Sequence, residues 1–150
     1  MKYRAFGKTG LEVSEVGFGA WAIGGTSYGL TEDRISVQAL KKALDLGVTF
    51  FDTADVYGNG HSEELIGKTF GKIRKEVVIA TKGGWDFYHS KERAKDMGDT
   101  YLKEALHKSL KRLKTDHVDL YQLHNPDLKT IREGKIFRTL EAFKKEGKAR

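Results

Sequence analysis

Apolar positions along the chain follow two habits in turn. Four short runs lack polar alternation: Val16–Ala22 (VGFGAWA), Val48–Phe51 (VTFF), Val77–Ala80 (VVIA) and Val118–Leu123 (VDLYQL). β-Branched and aromatic residues massed in this way predict strands buried in a parallel sheet, and Val48, Phe50 and Phe51 read as buried on both faces. Between the runs the spacing becomes helical, through Ile35, Ala39, Leu40, Ala43 and Leu44, then Leu65, Ile66 and Phe70. It recurs through Leu102, Ala105, Leu106, Ser109, Leu110 and Leu113, and through Ile136, Phe137, Leu140 and Phe143. Helix starts are predicted at Thr31, a hydroxyl cap followed by Glu32 and Asp33, at Ser62 followed by Glu63 and Glu64, and at Asp99-Thr100. Gly47 and Gly147 are placed to end two of these helices. Ahead of them, Lys2–Phe6 and Leu11–Val13 flank Gly7-Lys8-Thr9-Gly10 and predict a hairpin. Residues 23–30, with three glycines, predict a loop, and Pro126 stops the last strand.

Four strands alternating with four helices imply a parallel sheet with right-handed crossovers. A closed (β/α)8 barrel takes about 250 residues. The 150 residues here therefore predict an α/β fold of TIM-barrel type in roughly half its extent: an N-terminal hairpin plus four β/α units, one domain over 1–150, cut before a fifth strand. Half a barrel leaves the outer sides of its first and fourth strands unpaired, which favours association. A hydrophobic content of 39% is ordinary for a soluble domain, and no apolar run approaches the roughly 20 residues of a membrane span. The start MKYRAFGKTG lacks the apolar segment of a secretory signal, and the chain has no cysteine, so a cytoplasmic location is expected. Lys and Arg number 27 against 21 Asp and Glu, a formal +6, but bases and acids interleave as on a solvated helix face. No basic stripe with interleaved aromatics points to nucleic acid. The excess positive charge suits small anionic ligands.

Polar groups break into apolar surroundings at three strand ends: Asp52 with Tyr57 after the second, Lys82 after the third and His124 after the fourth. Singly, each has an ordinary reading as a turn cap, a packing aromatic, a loop lysine or a hydrogen-bonded core histidine. Their arrival at equivalent ends of successive strands outweighs those readings, because the loops there meet over one crevice. A phenol, with a reference pKa of about 10, donates its proton more readily beside an ammonium, which Lys82 supplies and Asp52 holds as ion-pair partner. His124 can orient a carbonyl oxygen. The set suits carbonyl reduction, given a hydride source.

The motifs DTADVYG, ATKGG and YQLHNPD, in that order, with GFGAW, GHSEELIG and SLKRLKTDHVDLY between and around them, resemble the N-terminal half of an aldo-keto reductase over essentially the whole chain. The resemblance implies a (β/α)8 barrel that reduces aldehydes and ketones with NADPH, NADH being the alternative, and no metal. It places the catalytic tetrad on Asp52, Tyr57, Lys82 and His124, with Tyr57 as general acid. It also places Gly19, Ala20 and Trp21 beside the nicotinamide and Asp52 near its ribose. Trp21, Trp85, His124 and Asn125 would shape the substrate pocket. In that family much of the cofactor surface comes from the C-terminal half. Two alternatives keep the fold and change the function: a non-enzymatic half-barrel that pairs with itself or with a complementary half, and a Schiff-base enzyme using Lys82.

Other signals carry less. Gly17, Gly19 and Ala22 satisfy a loose G-x-G-x-x-A, but that fingerprint needs a helix opening directly at the glycines, and here a glycine-rich loop intervenes. His61 with Glu63 and Glu64, or His124 with Asp127, lacks a recognised metal-ligand spacing. Nucleophile-elbow, P-loop and H-E-x-x-H motifs are absent.

Overall fold

The computed structural model describes residues 1–26, 28–90 and 92–150, so residue 27 of the expected loop lies outside the described residues. An antiparallel hairpin opens the chain, β1 (Tyr3–Ala5) against β2 (Glu12–Ser14). β3 (Gly17–Gly19), α1 (Asp33–Asp45), β4 (Phe50–Asp52), α2 (His61–Phe70) and β5 (Val78–Gly83) follow in alternation. A small antiparallel hairpin, β6 (Trp85–Asp86) with β7 (Ala94–Lys95), precedes α3 (Asp99–Leu113) and β8 (Leu120–Leu123). The short α4 (Leu128–Glu133) and α5 (Lys135–Lys145) end the helical part. β3, β4, β5 and β8 form one parallel sheet in that order, open at β3, as the alternating pattern predicts. Beyond β8, Ala149 forms a single parallel bridge with Val118, so the chain leaving α5 turns back alongside the sheet. Among the described residues no helix is long and apolar enough to cross a membrane.

The two faces of the sheet differ because successive side chains alternate. Phe51 and Ile79 point to the side covered by helices and are fully buried with Leu65, Ile66, Phe70, Leu102, Leu106 and Leu113. Phe50 belongs to the other face and is half-buried against Phe6 of the hairpin, with ring centroids 5.7 Å apart. The expectation that β4 is buried on both faces therefore fails for Phe50. β3 departs from its predicted burial too: Gly17 and Gly19 are exposed, and Val16 just before it is 58% exposed. It is the edge of the sheet, with only Phe18 leaning inward on Phe51.

Helix starts differ from the predicted caps in detail. Glu32, not Thr31, occupies the N-cap of α1, without a side-chain hydrogen bond. Ser62 lies inside the first turn of α2, where its hydroxyl donates to Ala20 O. Ile35 and Phe137 keep helical spacing but face solvent, since each helix buries only a stripe. The third strand runs past Ala80 to Gly83, so Lys82 sits within it rather than after it. The β6–β7 hairpin escapes the sequence pattern because each strand has two residues. α4 carries a readable cap, Asp127 Oδ1 accepting from Thr130 N at 2.7 Å, but no apolar stripe.

α2 and α3 cross in direct backbone contact at Gly67. A Cβ there would collide with Arg112 O and lie 2.8 Å from Leu113 Cα. Glycine inside a helix costs about 1 kcal/mol relative to alanine, and here the close approach requires it. We expect Gly67→Ala to destabilise the fold by about 1–3 kcal/mol, since neither backbone can give way cheaply. Urea unfolding followed by circular dichroism checks this, and an unchanged midpoint would show that the helices separate freely.

Candidate active site

β4, β5 and β8 deliver their polar residues to one end and one face of the sheet. Asp52 pairs in register with Ala80, and Lys82 with Gln122, so Asp52, Lys82 and Gln122 share the face opposite the helices. Lys82 Nζ donates to Asp52 Oδ1 at 2.6 Å, to Thr53 O at 2.7 Å and to Tyr57 Oη at 3.4 Å. Gln122 Nε2 donates to the other carboxylate oxygen, Asp52 Oδ2, at 3.2 Å. With its three donors engaged, the ammonium is held as a fixed charge rather than offered as a nucleophile, which disfavours a Schiff-base role.

Tyr57 is placed by backbone. It begins a tight turn, Tyr57–Gly60, in which Gly58 and Asn59 are left-handed at φ 61° and 54°. Gly58 packs on Gly24 so closely that a Cβ at 58 would collide with Gly24 O and lie 2.9 Å from Gly24 Cα. The loop after β3 and the turn after β4 thus meet without side chains between them. The phenol ring stacks on Trp21 at 5.9 Å and meets the edge of His124 at 5.7 Å, with Lys82 Nζ 5.0 Å from its centroid. His124 is half-buried, and burial together with the Lys82 charge holds its imidazole below the usual histidine range, against the pull of Asp52. Its Nδ1 is buried and without a hydrogen-bond partner among the described residues.

Around these groups lie two adjoining clefts. One, of about 300 Å³, is lined by Trp21, Val56, Tyr57, Trp85, Arg93 and His124. The second, of about 410 Å³, shares Trp21, Tyr57 and His124 and adds Lys82, Gln122, Leu123 and Asn125. The structure therefore gathers Asp52, Tyr57, Lys82, His124, Trp21, Trp85 and Asn125 at one end of the sheet. Gly19 is exposed in β3, with open space where a Cβ would stand, while Ala20 is fully buried and donates its N–H to Asp52 O at 2.8 Å. Gln122, Thr53 O and Arg93 were not singled out from sequence. Gln122 could have been, since it stands two residues before His124 and so shares its face. Arg93 carried no such signal, because only the unforeseen β6–β7 hairpin brings it in. Among the described residues no three histidine or acidic side chains converge on a metal position. His61 Nε2 contacts Asp33 at 2.7 Å, whereas Glu63 turns inward.

Glu63 belongs to a buried polar cluster beneath the site. Its carboxylate accepts from Arg112 Nε at 2.7 Å and Thr81 Oγ1 at 2.5 Å, and Arg112 donates to Tyr88 Oη at 2.8 Å. Asp55 shares this interior, fully buried, with neither carboxyl oxygen hydrogen-bonded among the described residues. Burial and the neighbouring Glu63 push its carboxyl up to about 8, with Arg112 and Lys82 opposing. Its backbone N–H donates to Lys82 O at 3.1 Å, which ties the cluster to the strand that carries the lysine.

A parallel sheet with its polar constellation at the carboxyl ends defines an α/β protein of barrel type, and comparison with known proteins identifies which. The model of the Aldo/keto reductase family matches residues 15–150. Aldo-keto reductase YhdN of Bacillus subtilis is 43% identical over 130 residues, covering 85% of this chain and 39% of that protein. The solved structure of aldo-keto reductase AKR11C1 from Bacillus halodurans, in its holo form, superposes with a TM-score of 0.89 at 35% identity, covering 99% of this chain and 48% of the other. Glycerol dehydrogenase AKR11B4 from Gluconobacter oxydans gives a TM-score of 0.80 at 35% identity, covering 94% and 44%. The chain belongs to the aldo/keto reductase family, a family of oxidoreductases. It spans less than half the length of each of these relatives.

The buried carboxyl of Asp55 gives the fold a pH dependence whose sign is fixed. An acid raised from 3.8 to about 8 keeps its proton in the folded state while the unfolded chain releases it, so its contribution to stability is fully present below pH 4 and falls as pH rises towards 8. Asp55→Asn should remove that loss. Between pH 5 and pH 9 the variant is expected to gain on the parent by on the order of 1–3 kcal/mol in urea unfolding. A difference that stays constant with pH would place the proton elsewhere.

Proposed function

We propose that the chain carries the proton-donating machinery of a nicotinamide-dependent carbonyl reductase, converting aldehydes or ketones to alcohols with Tyr57 as general acid. The observation that carries this reading is Lys82 Nζ, which bridges the Asp52 carboxylate at 2.6 Å and the Tyr57 hydroxyl at 3.4 Å. An ammonium so placed stabilises the phenolate left after proton donation, and Asp52 with Gln122 fixes the ammonium. The carbonyl oxygen lies between Tyr57 Oη and the His124 ring, which supplies the second hydrogen bond. As charge develops on that oxygen, Tyr57 gives up its proton to complete the alcohol.

Bound in the site, NADPH or NADH supplies the hydride. The residues present fit the nicotinamide end: Gly19 offers an exposed backbone with open space above it, Asp52 stands beside it on the next strand, and Trp21 lines the adjoining cleft. The holo form named for the Bacillus halodurans relative supports a bound cofactor. By resemblance the family's C-terminal half provides much of the adenosine end of the cofactor site; the substrate is a small carbonyl compound, and the rest of the barrel comes from a complementary half or a second copy of the chain.

The first test is a titration of the 150-residue chain with NADPH, followed by cofactor fluorescence, with its mass in solution measured on the same sample. Saturable binding is expected when the complementary half is present. Tyr57→Phe should then leave that binding unchanged and lower carbonyl reduction by about 10²-fold or more, the scale of a lost general acid. Retention of most of the turnover would remove Tyr57 from the role.

A further inference from the structure

The cleft of about 300 Å³ has four aromatic walls, Trp21, Tyr57, Trp85 and His124, and one full charge, Arg93. Among the described residues no carboxylate lines it or its neighbour, Asp52 lying behind Lys82. Arg93 stands just before β7 on the hairpin that also presents Trp85, and its Nη2 donates to Asn59 Oδ1 at 2.9 Å. That acceptor is neutral and does not compensate the guanidinium, and among the described residues no acid pairs with it. One hydrogen bond of five leaves most of the planar fork open, in the geometry that receives a carboxylate. Lys95 adds a second cation on the same hairpin, 5.3 Å from the Trp85 ring, with Nζ on Asn125 O at 2.9 Å. Lys82, by contrast, lines only the other cleft and is neutralised by Asp52. The two clefts thus share the Tyr57–His124 centre and divide their charges: a paired lysine in one, an uncompensated arginine in the other.

We infer that the site selects carbonyl compounds bearing a carboxylate remote from the reacting carbonyl, and that Arg93 is the residue that receives it. This rests on the carbonyl-reductase reading of the Tyr57 centre and specifies its substrate class. The aromatic walls hold the body of the substrate, while the carboxylate lies at the rim, where Arg93 is exposed and the interaction is screened by water and salt. Its contribution is therefore selectivity rather than tight binding.

Trp21 and Trp85 are the chain's only two tryptophans, so their indole N–H resonances report on this cleft without any turnover. The chain, ¹⁵N-labelled so that only its own indoles are read, is combined with the unlabelled complementary half and NADP⁺ and titrated with 4-formylbenzoate and with 4-formylbenzamide, which match in shape and differ in charge. The benzoate should bind about fivefold more tightly, the scale of an exposed ion pair, and the preference should shrink with added salt. Arg93→Gln should abolish the preference by weakening formylbenzoate more than formylbenzamide. Equal affinity for the two compounds in the parent chain would overturn the inference while leaving the reductase reading in place. So would an Arg93→Gln variant that loses both ligands alike, since Arg93 would then be only a clamp on Asn59. If neither compound moves either indole, the cleft takes no carbonyl compound and both readings fail.

Discussion

The register between the second and third strands of the sheet is the constraint on which the site depends. With Asp52 opposite Ala80, Lys82 stands one pleat further along and its ammonium reaches back to the carboxylate and to Thr53 O. A slip of one residue would turn Lys82 to the helix side, where Thr81 now meets Glu63. The burial of Phe51 and Ile79 beneath the helices, neither of which tolerates the open face, prevents that slip. The chemistry at the carboxyl ends is thus held by apolar residues that never touch it.

Two polar layers result, one on each side of the third strand. Above the sheet, the Asp52–Lys82 pair is partly open to solvent and holds Tyr57 by contact. Below it, the Glu63–Arg112 pair is enclosed where the second and third helices cross at Gly67. Breaking an enclosed pair is costly because it strands a charge, so the lower layer resists rearrangement more strongly than the upper. Asp55 joins the layers, its backbone bonded to Lys82 O and its carboxyl lying in the lower cluster.

Much of this was legible in the sequence, and for a reason. Leu102, Ala105, Leu106, Ser109, Leu110 and Leu113 were expected on one face of a helix and are all buried there, since period 3.6 is a local property. The alternation of strands with helices fixed a parallel sheet in the same way. Burial of the first strand was misread because edge position depends on what pairs beyond it, which no local pattern records. The four polar residues at the strand ends could be grouped from sequence because topology brings equivalent ends together. Arg93 could not, since its place depends on a hairpin of two-residue strands tethered through Asn59. Gln122 lay between these cases, on a face that its own strand defined.

The contact between Gly24 and Gly58 has a consequence for how such a protein can change. Backbone pressed on backbone leaves no room for a side chain at either position, so the turn that aims Tyr57 has no adjustable part. Trp21, Trp85 and Arg93 stand around that turn on a loop and a hairpin, and they meet it through side chains, Trp21 on the Tyr57 ring and Arg93 on Asn59, rather than through its backbone. Novelty in ligand preference has room at the rim side chains, while the backbone contact that aims the proton donor admits none.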